Sequence, residues 1–250
     1  MKTSQSHTAP DKGDLMTTLR RWARLTALAY LVLFVAGTVG FLLIRQPLYV
    51  PDDAMRTAAN FVAHEGLARL GISLDLVTVL AQALAAIGFF VVFRRVNSVG
   101  AASITAFGLL NCAVVLMAAA FSATALQVAL RGGPTSASEA LTLYDLNAGT
   151  WTAAGLLFGL WLIPMGWLTV RSGMPRVLGW ILVVGGVGGV LSTFVSVLAP
   201  DASGLAGVLP LAVVPGEVWL IGYLLIKGMP ERPQGPDDEL PRVPVGESSR

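Results

Sequence analysis

Six apolar stretches, each long enough to cross a bilayer, occupy most of the chain between Arg24 and Lys227. A transmembrane helix needs about 20 predominantly apolar residues to cross roughly 30 Å of hydrocarbon. The chain is also 54% hydrophobic and 13% charged, which lies outside the usual range of soluble domains. The sequence therefore predicts an all-α integral membrane protein, a six-helix bundle with spans at residues 25–44, 70–93, 99–130, 148–170, 177–199 and 205–226.

The basic residues predict the orientation of the bundle, because lysine and arginine concentrate in cytoplasmic loops. With the N-terminus in the cytoplasm, thirteen of the 17 basic residues fall inside, and four fall outside: Arg45, Arg56, Arg69 and Arg131. Arginine outnumbers lysine by 14 to 3, which we interpret as the mark of a GC-rich bacterial genome. We therefore expect the protein to lie in the bacterial cytoplasmic membrane, with the N-terminus and the C-terminus both cytoplasmic.

The polar segments predict three regions along the chain. Residues 1–19 read as a polar, mobile N-terminal tail, residues 20–228 as the transmembrane domain, and residues 229–250 as a disordered cytoplasmic tail rich in proline. In the first outer loop, Asp52 and Asp53 can cap a helix. Its apolar residues recur at helical spacing, so we expect a short amphipathic helix on the outer surface, with an apolar side made of Met55, Ala58, Ala59 and Val62.

Two carboxylates fall inside the predicted spans. Asp75 shares one face of the second span with Thr78 and Gln82, and this face should point into the bundle because lipid cannot form hydrogen bonds. Glu217 lies about 15 Å from the inner end of the sixth span, close to the bilayer midplane. Pro215 precedes it, and a proline inside a helix removes one N–H, so we expect a kink beside Glu217.

The sequence leaves two interpretations of these carboxylates open. The spans as drawn contain no lysine or arginine, so neither Asp75 nor Glu217 is expected to have an internal cation, although a charge at mid-membrane costs at least ~2.5–3.5 kcal/mol. Either they form a binding site for a proton or a cation, or they are neutral structural groups that hydrogen-bond to Gln82, Asn111 or a freed carbonyl. Asp145, expected near the outer start of the fourth span, is a weaker candidate because a carboxylate is favourable at a helix N-terminus.

Other kinds of site find little support in the sequence. His64 beside Glu65 does not supply the three or four ligands of a zinc site, and the chain has no HExxH or GxSxG motif. The scattered basic residues do not predict nucleic-acid binding. We therefore expect no metal and no cofactor. The glycines of the fourth and fifth spans, including Gly155 and Gly159, predict close packing between helices inside the bundle.

Several stretches together resemble the bacterial membrane family catalogued as domain of unknown function 4386. The resemblance covers roughly residues 20–228 in order. It implies that the acidic positions of the family correspond to Asp75 and Glu217. Pro164 departs from the ordinary helix former expected at its position. The resemblance implies a multi-pass bacterial membrane protein without an assigned activity. It is carried by RLGISLD at residues 69–75, FGLWLIPMG at 158–166, RSGMPRVLG at 171–179, PGEVWL at 215–220 and LIKG at 225–228.

Three functions follow from these observations. The first is a small transporter or ligand-binding membrane protein in which Asp75 and Glu217 bind a proton or a cation. The second is a non-catalytic accessory protein that acts through a membrane-protein partner or as a homo-oligomer, by means of its glycine-rich helix faces. The third is a membrane-embedded enzyme acting on a lipid-soluble substrate, which we rank last because no nucleophile or histidine base accompanies the two acids.

Overall fold

The computed structural model describes residues 12–208 and 213–230, and within these residues the regular structure is entirely helical. The first helix begins at Lys12, inside the segment 1–19 that the sequence predicts as a tail. The other parts of the two predicted tails, residues 1–11 and 231–250, lie outside the described residues. The helices are α1 (Lys12–Val39), α2 (Gln46–Leu48), α3 (Ala54–Ala63), α4 (Glu65–Phe93), α5 (Ser98–Arg131), α6 (Ser136–Arg171), α7 (Arg176–Leu198), α8 (Ser203–Val208) and α9 (Val214–Ile226), with a π-helical turn over Gly40–Arg45 and a 3₁₀ turn over Pro200–Ala202.

Five of these helices are long and apolar enough to cross a membrane, as the sequence predicts. They are α4, α5, α6, α7 and the continuous helix Thr17–Arg45, which joins most of α1 to the π turn. The fourth span differs at its start, because α6 begins at Ser136 rather than near residue 148. The protein is therefore a multi-pass membrane protein by the length and hydropathy of its helices, and these spans place it in contact with lipid.

The sixth apolar segment differs from the single span predicted at residues 205–226. It contains two helices, α8 of 6 residues and α9 of 13 residues, and residues 209–212 between them lie outside the described part of the chain. Helix α9 is about 20 Å long at 1.5 Å per residue, shorter than the roughly 30 Å of a bilayer core. The expectation of a helix kink at Pro215 is also wrong. Pro215 lies in the first turn of α9, where its missing N–H has no helical partner to lose.

The long helices form an antiparallel series in which α1 packs on α4, α4 on α5, α5 on α6 and α6 on α7. Helix α9 contacts both α1 and α7 and so closes the series. One end of the bundle, called here the Arg45 end, holds the end of the π turn and the start of α4. The opposite end, called the Arg94 end, holds the connections from α4 to α5 and from α6 to α7.

The predicted loop helix is present as α3 and covers the Arg45 end. The Asp53 carboxylate accepts a hydrogen bond of 2.9 Å from the Arg56 N–H, which confirms the predicted N-cap. Thr57 and Phe61 are buried against the bundle, and the Phe61 ring packs on Tyr144. The predicted apolar side is mostly exposed instead, with Met55 74% and Val62 52% exposed, because α3 rests on the ends of α5 and α6 through its other face.

Glycines bring α6 and α7 into close contact, as the sequence predicts. A Cβ added at Gly159 would lie 2.6 Å from the carbonyl oxygen of Gly186 and 2.8 Å from the backbone nitrogen of Val190. Only a residue without a side chain fits at that position. Gly155, one turn away, is less crowded, because its nearest neighbour would be the Thr193 hydroxyl at 3.5 Å. The glycine-rich faces are therefore used inside the chain.

The buried apolar side chains of the described residues form two clusters separated along the bundle. The cluster at the Arg45 end includes Ile44, Phe61 and Tyr144, and the larger cluster toward the Arg94 end includes Phe89 and Trp161. Between them, α4 to α6 bury a set of polar side chains that we call the polar layer. Because lipid and an apolar core offer such groups no hydrogen-bond partners, the polar layer is a candidate functional region. Its members are Asp75, Thr78, Gln82, Asn111 and Asn147.

Candidate functional site

Asp75 forms an ion pair at the Arg45 end of the polar layer. Nη2 of Arg45 lies 3.3 Å from Oδ1 of Asp75, and the two side chains are only 17% and 9% exposed. The expectation that Asp75 has no internal cation is therefore wrong. Arg45 lies just beyond the first predicted span, at residues 25–44, and a flexible side chain of that length reaches a neighbouring helix. The pair neutralises Asp75 inside the bundle, which lowers the cost of burying its charge.

Arg45 is also held by an aromatic ring. Its guanidinium carbon lies 4.1 Å from the centroid of the Trp151 ring, within the range of a cation–π contact. The π turn Gly40–Arg45 ends at this arginine, and single π turns inside helices are frequent at functional sites. Residues from the π turn, α4 and α6 thus meet around one charge pair.

Glu217 has a different kind of partner from Asp75. The hydroxyl of Tyr30, on α1, donates a hydrogen bond of 2.7 Å to Oε1 of Glu217. Glu217 is 5% exposed and Tyr30 is fully buried. Among the described residues, no lysine or arginine forms an ion pair with Glu217. Because Glu217 lies in the first turn of α9, the helix N-terminus supplies the favourable electrostatic environment that a cation would otherwise supply.

Aromatic rings pack against the ring of Tyr30, the hydrogen-bond donor to Glu217. The Tyr30 ring packs edge-on against Phe89 at 5.5 Å and against Trp161 at 5.4 Å between centroids. On the other side, Gly216 lies against Ile181 and Leu182 of α7, since a Cβ added there would contact both side chains. Within the described part of the chain, the Glu217 carboxyl therefore lies in a largely apolar setting, with Tyr30 as its hydrogen-bond donor.

The structure does not bring the two acids together. Their partners, Tyr30 and Arg45, are 15 positions apart on one continuous helix, which is about 22 Å along its axis. Asp75 and Glu217 are therefore at different depths, and each has its own partner from the first span. A single ion bridging both carboxylates does not fit this arrangement.

The two amides named as weaker candidates do meet. Nδ2 of Asn111 donates a hydrogen bond of 2.9 Å to Oε1 of Gln82, and the side chains are 4% and 1% exposed. Gln82 lies seven positions after Asp75 on α4, so the pair lies about 10 Å further into the bundle. Asn147, a third buried amide, donates to the carbonyl of Ala118 at 2.6 Å.

Asp145 lies at the Arg45 end, on the surface. The hydroxyl of Tyr49 donates a hydrogen bond of 2.7 Å to its Oδ1, which joins the segment between α2 and α3 to α6. Partial burial, followed by this hydrogen bond and the charge of Asp145, raises the pKa of Tyr49 to about 12. Asp145 is exposed and lies more than two turns after the start of α6, not at its N-terminus as expected. Its contact is with the segment between α2 and α3.

Sequence reasoning missed the partners of both acids. Arg45 lies just outside the first predicted span, and Tyr30 lies within its apolar run. One signal was available in each case: Arg45 is the basic residue nearest to the end of that span, and Tyr30 is the one tyrosine within it. In residues 12–208 and 213–230, no group of three or more His, Cys, Asp or Glu side chains is placed to hold a metal ion.

Comparison with known proteins gives a family and no activity. The model of the family described as Domain of unknown function (DUF4386) matches residues 25–228, which is most of the chain, and the protein belongs to that family. No curated protein and no solved structure matches the sequence. The resemblance found in the sequence is therefore confirmed, and the function has to be argued from the site.

Proposed function

We propose that this member of the DUF4386 family is a small transporter or ligand-binding membrane protein in which Glu217 takes up and releases a proton. The observation that carries the proposal is the setting of Glu217: a buried carboxyl at the N-terminus of a half-length helix, with a tyrosine hydroxyl as its hydrogen-bond partner. Transporters commonly build their binding sites from discontinuous helices near the middle of the membrane.

This setting suits both protonation states of the carboxyl. When Glu217 is ionised, Tyr30 donates to Oε1 and the start of α9 favours the negative charge. When Glu217 is protonated, the charge that the apolar surroundings disfavour disappears, and Oε1 still accepts from Tyr30. A group that is tolerated in both states can titrate without loss of the fold.

Asp75 is the second candidate for binding a proton or a cation, and its ion pair makes it the weaker one. A cation arriving at Asp75 would have to compete with Arg45, 3.3 Å away. In our proposal Asp75 and Arg45 hold α1 and α4 together at the Arg45 end, and Glu217 exchanges the proton. Binding at Asp75, Gln82, Asn111 and Asp145 stays a prediction.

We place the Arg94 end in the cytoplasm of a bacterial cell, with both termini there. The described basic residues at that end include Arg94, Arg95, Arg171 and Arg176, which supports this orientation under the positive-inside rule. In this orientation α3 lies on the outer face, and its exposed Met55 and Val62 can contact the membrane surface.

The proposal is tested by an infrared pH titration of the purified full-length protein in detergent micelles. The carbonyl stretch of a protonated buried carboxyl should appear as the pH falls, and Glu217→Gln should remove that band. Glu65→Gln is the control, because it removes an exposed carboxyl at small cost to stability, and it should leave the band in place. If Glu217→Gln leaves every titrating carboxyl band unchanged, the proposal is wrong.

Transport is tested separately in reconstituted vesicles that contain a trapped pH-sensitive dye. After an imposed pH gradient, vesicles with the wild-type protein should equilibrate faster than vesicles with Glu217→Gln. Equal rates, together with a titrating Glu217, would favour the ligand-binding form of the proposal over the transporter form.

The two other functions have less support in the structure. An accessory role through glycine-rich faces needs a different surface, because Gly159 and Gly186 are packed against each other's helices within the chain. An enzyme acting on a lipid-soluble substrate needs a nucleophile or base close to an acid. Glu217 accepts its hydrogen bond from Tyr30, whose hydroxyl is engaged in that bond.

A further inference from the structure

Four buried side-chain atoms in the described part of the chain have no hydrogen-bond partner. They are Nε2 of Gln82, Oδ1 of Asn111, Nε1 of Trp151 and Nε1 of Trp161. A buried polar atom without a partner is destabilising, and such atoms are uncommon in folded proteins. All four belong to α4, α5 and α6, so the unsatisfied groups are concentrated in the centre of the bundle.

These atoms follow one another from the Asp75 ion pair toward Glu217. Trp151 lies at the same depth as the Asp75 ion pair, because its ring contacts the guanidinium of Arg45, the partner of Asp75. The hydrogen-bonded amides of Gln82 and Asn111 come about two helical turns further along α4.

Trp161 continues the series. Its Nε1 would lie 3.6 Å from a Cβ added at Gly108, which is one turn from Asn111 on α5. The Trp161 ring then contacts the ring of Tyr30, whose hydroxyl contacts Glu217. The unpartnered atoms therefore occupy three levels between the two acids.

We propose that these four atoms bind a row of ordered water molecules through which protons reach Glu217 from the Arg45 end. The inference rests on the proposed function and adds the route to it. Water is the ligand whose chemistry fits, because the row offers three N–H donors and one carbonyl acceptor, and a water oxygen accepts from the former while a water hydrogen donates to the latter.

The proton transfer balances without any further reactant. A proton from bulk water enters at the Arg45 end, and each water in the row accepts one proton and passes another on. At the last step Tyr30 passes its hydroxyl proton to Oε1 of Glu217 and receives a proton from the adjoining water. The carboxylate becomes a neutral carboxyl and Tyr30 keeps its hydroxyl. The tryptophan and amide groups hold water oxygens in place and exchange no proton themselves.

Few other titratable groups face this route. On α1, Tyr30 faces Glu217, and residues 25–44 contain no charged side chain. The stretches of α5, α6 and α7 at residues 99–130, 146–170 and 177–198 contain no acidic, basic or histidine residue. α5 contributes the buried thiol of Cys112, next to Asn111, and α4 contributes Asp75 at the far end. Protonation of Glu217 can therefore be followed without a second titrating carboxyl beside it.

The test is a pH jump on the full-length protein, with time-resolved infrared detection of the protonated Glu217 carboxyl. Replacing both amides, Gln82→Leu with Asn111→Leu, should slow the appearance of the band about tenfold and leave its final amplitude unchanged. Asn147→Leu is the control, because Asn147 is an equally buried amide whose Nδ2 is already bonded to Ala118, and its rate should match the wild type.

A second variant and a second readout keep the test decisive if the double variant does not fold. Trp161→Phe keeps an aromatic ring against Tyr30 and removes the unpartnered N–H, so it should slow the same step. The wild type should also show water O–H bands that shift in oxygen-isotope-labelled water and weaken in either variant.

The outcomes separate the route from the function. A Glu217 band that titrates at the same rate in all variants, with no isotope-sensitive water bands lost, overturns the water route and leaves the proposed function standing. The absence of any titrating Glu217 band in the wild type overturns the proposed function itself.

Discussion

The hydroxyl of Tyr30 and the carboxyl of Glu217 are joined by a hydrogen bond of 2.7 Å, 187 positions apart in the chain. This bond connects α1 to α9 inside the apolar cluster toward the Arg94 end. Because α9 also contacts α7, the bond links the two ends of the helix series. A change in the protonation of Glu217 therefore acts on the contact that closes the bundle.

Removing either partner of this bond should destabilise the protein. Tyr30→Phe leaves the Glu217 oxygen without its donor, and we expect a loss of about 1–3 kcal/mol in the free energy of unfolding. The measurement is reversible unfolding in mixed micelles. The double variant with Glu217→Leu should lose less than the sum of the two single variants, because neither polar group is then left alone. Additive losses would contradict an energetic link between them.

Neutralising one partner of the Arg45–Asp75 ion pair should destabilise the protein much more than neutralising one partner of an exposed ion pair. Asp75→Asn leaves a largely buried guanidinium without its counter-charge, and we expect a loss of about 3–5 kcal/mol in the free energy of unfolding. Arg45→Gln combined with Asp75→Asn should recover most of that loss. The matched control is the exposed pair Glu65 and Arg69, where Glu65→Gln should cost no more than about 1 kcal/mol. Equal effects at both pairs would contradict the burial of the Asp75 pair.

The contact between Tyr49 and Asp145 predicts a pH dependence in the alkaline range. Burial and the Asp145 carboxylate raise the pKa of Tyr49 to about 12, above its ordinary value of 10.0. A raised pKa in the folded state favours the neutral phenol. The resulting stabilisation is complete below the ordinary pKa and is lost as the pH rises through about 12.

Ultraviolet titration of tyrosine ionisation checks this prediction. The Tyr49→Phe variant identifies the component that belongs to Tyr49. In Asp145→Asn, that component should move to lower pH, because the negative charge beside the phenolate is gone while the burial stays. An unchanged midpoint would show that burial alone sets the pKa of Tyr49.

Two glycines of the same GxxxG motif should respond differently to alanine. In Gly159→Ala the new Cβ would meet the backbone of α7 at 2.6 Å, and we expect overpacking to cost about 1–3 kcal/mol. In Gly155→Ala the nearest contact would be an ordinary 3.5 Å, so the unfolding free energy should change little. The unfolding measurement described above compares the two variants directly. A larger effect at Gly155 would contradict the packing of α6 on α7.

The sequence alone determined the class of this protein, its family, five of its spans and the two intramembrane acids. These follow from hydropathy, helix length and residue type, which are local properties of the chain and need no knowledge of neighbours. The capped helix α3 and the glycine contacts of α6 with α7 were predictable for the same reason.

Only the tertiary structure decided which groups meet. The pairing of Asp75 with Arg45, and of Glu217 with Tyr30, depends on how helices far apart in sequence are aligned. Hydropathy cannot supply that alignment, because it does not record which faces of two helices touch. The division of the sixth apolar segment could not be predicted from hydropathy either, since an apolar run is compatible with one long helix or with two short ones. The start of α9 near Pro215 places Glu217 at a helix end, and that position makes it the strongest candidate for proton exchange.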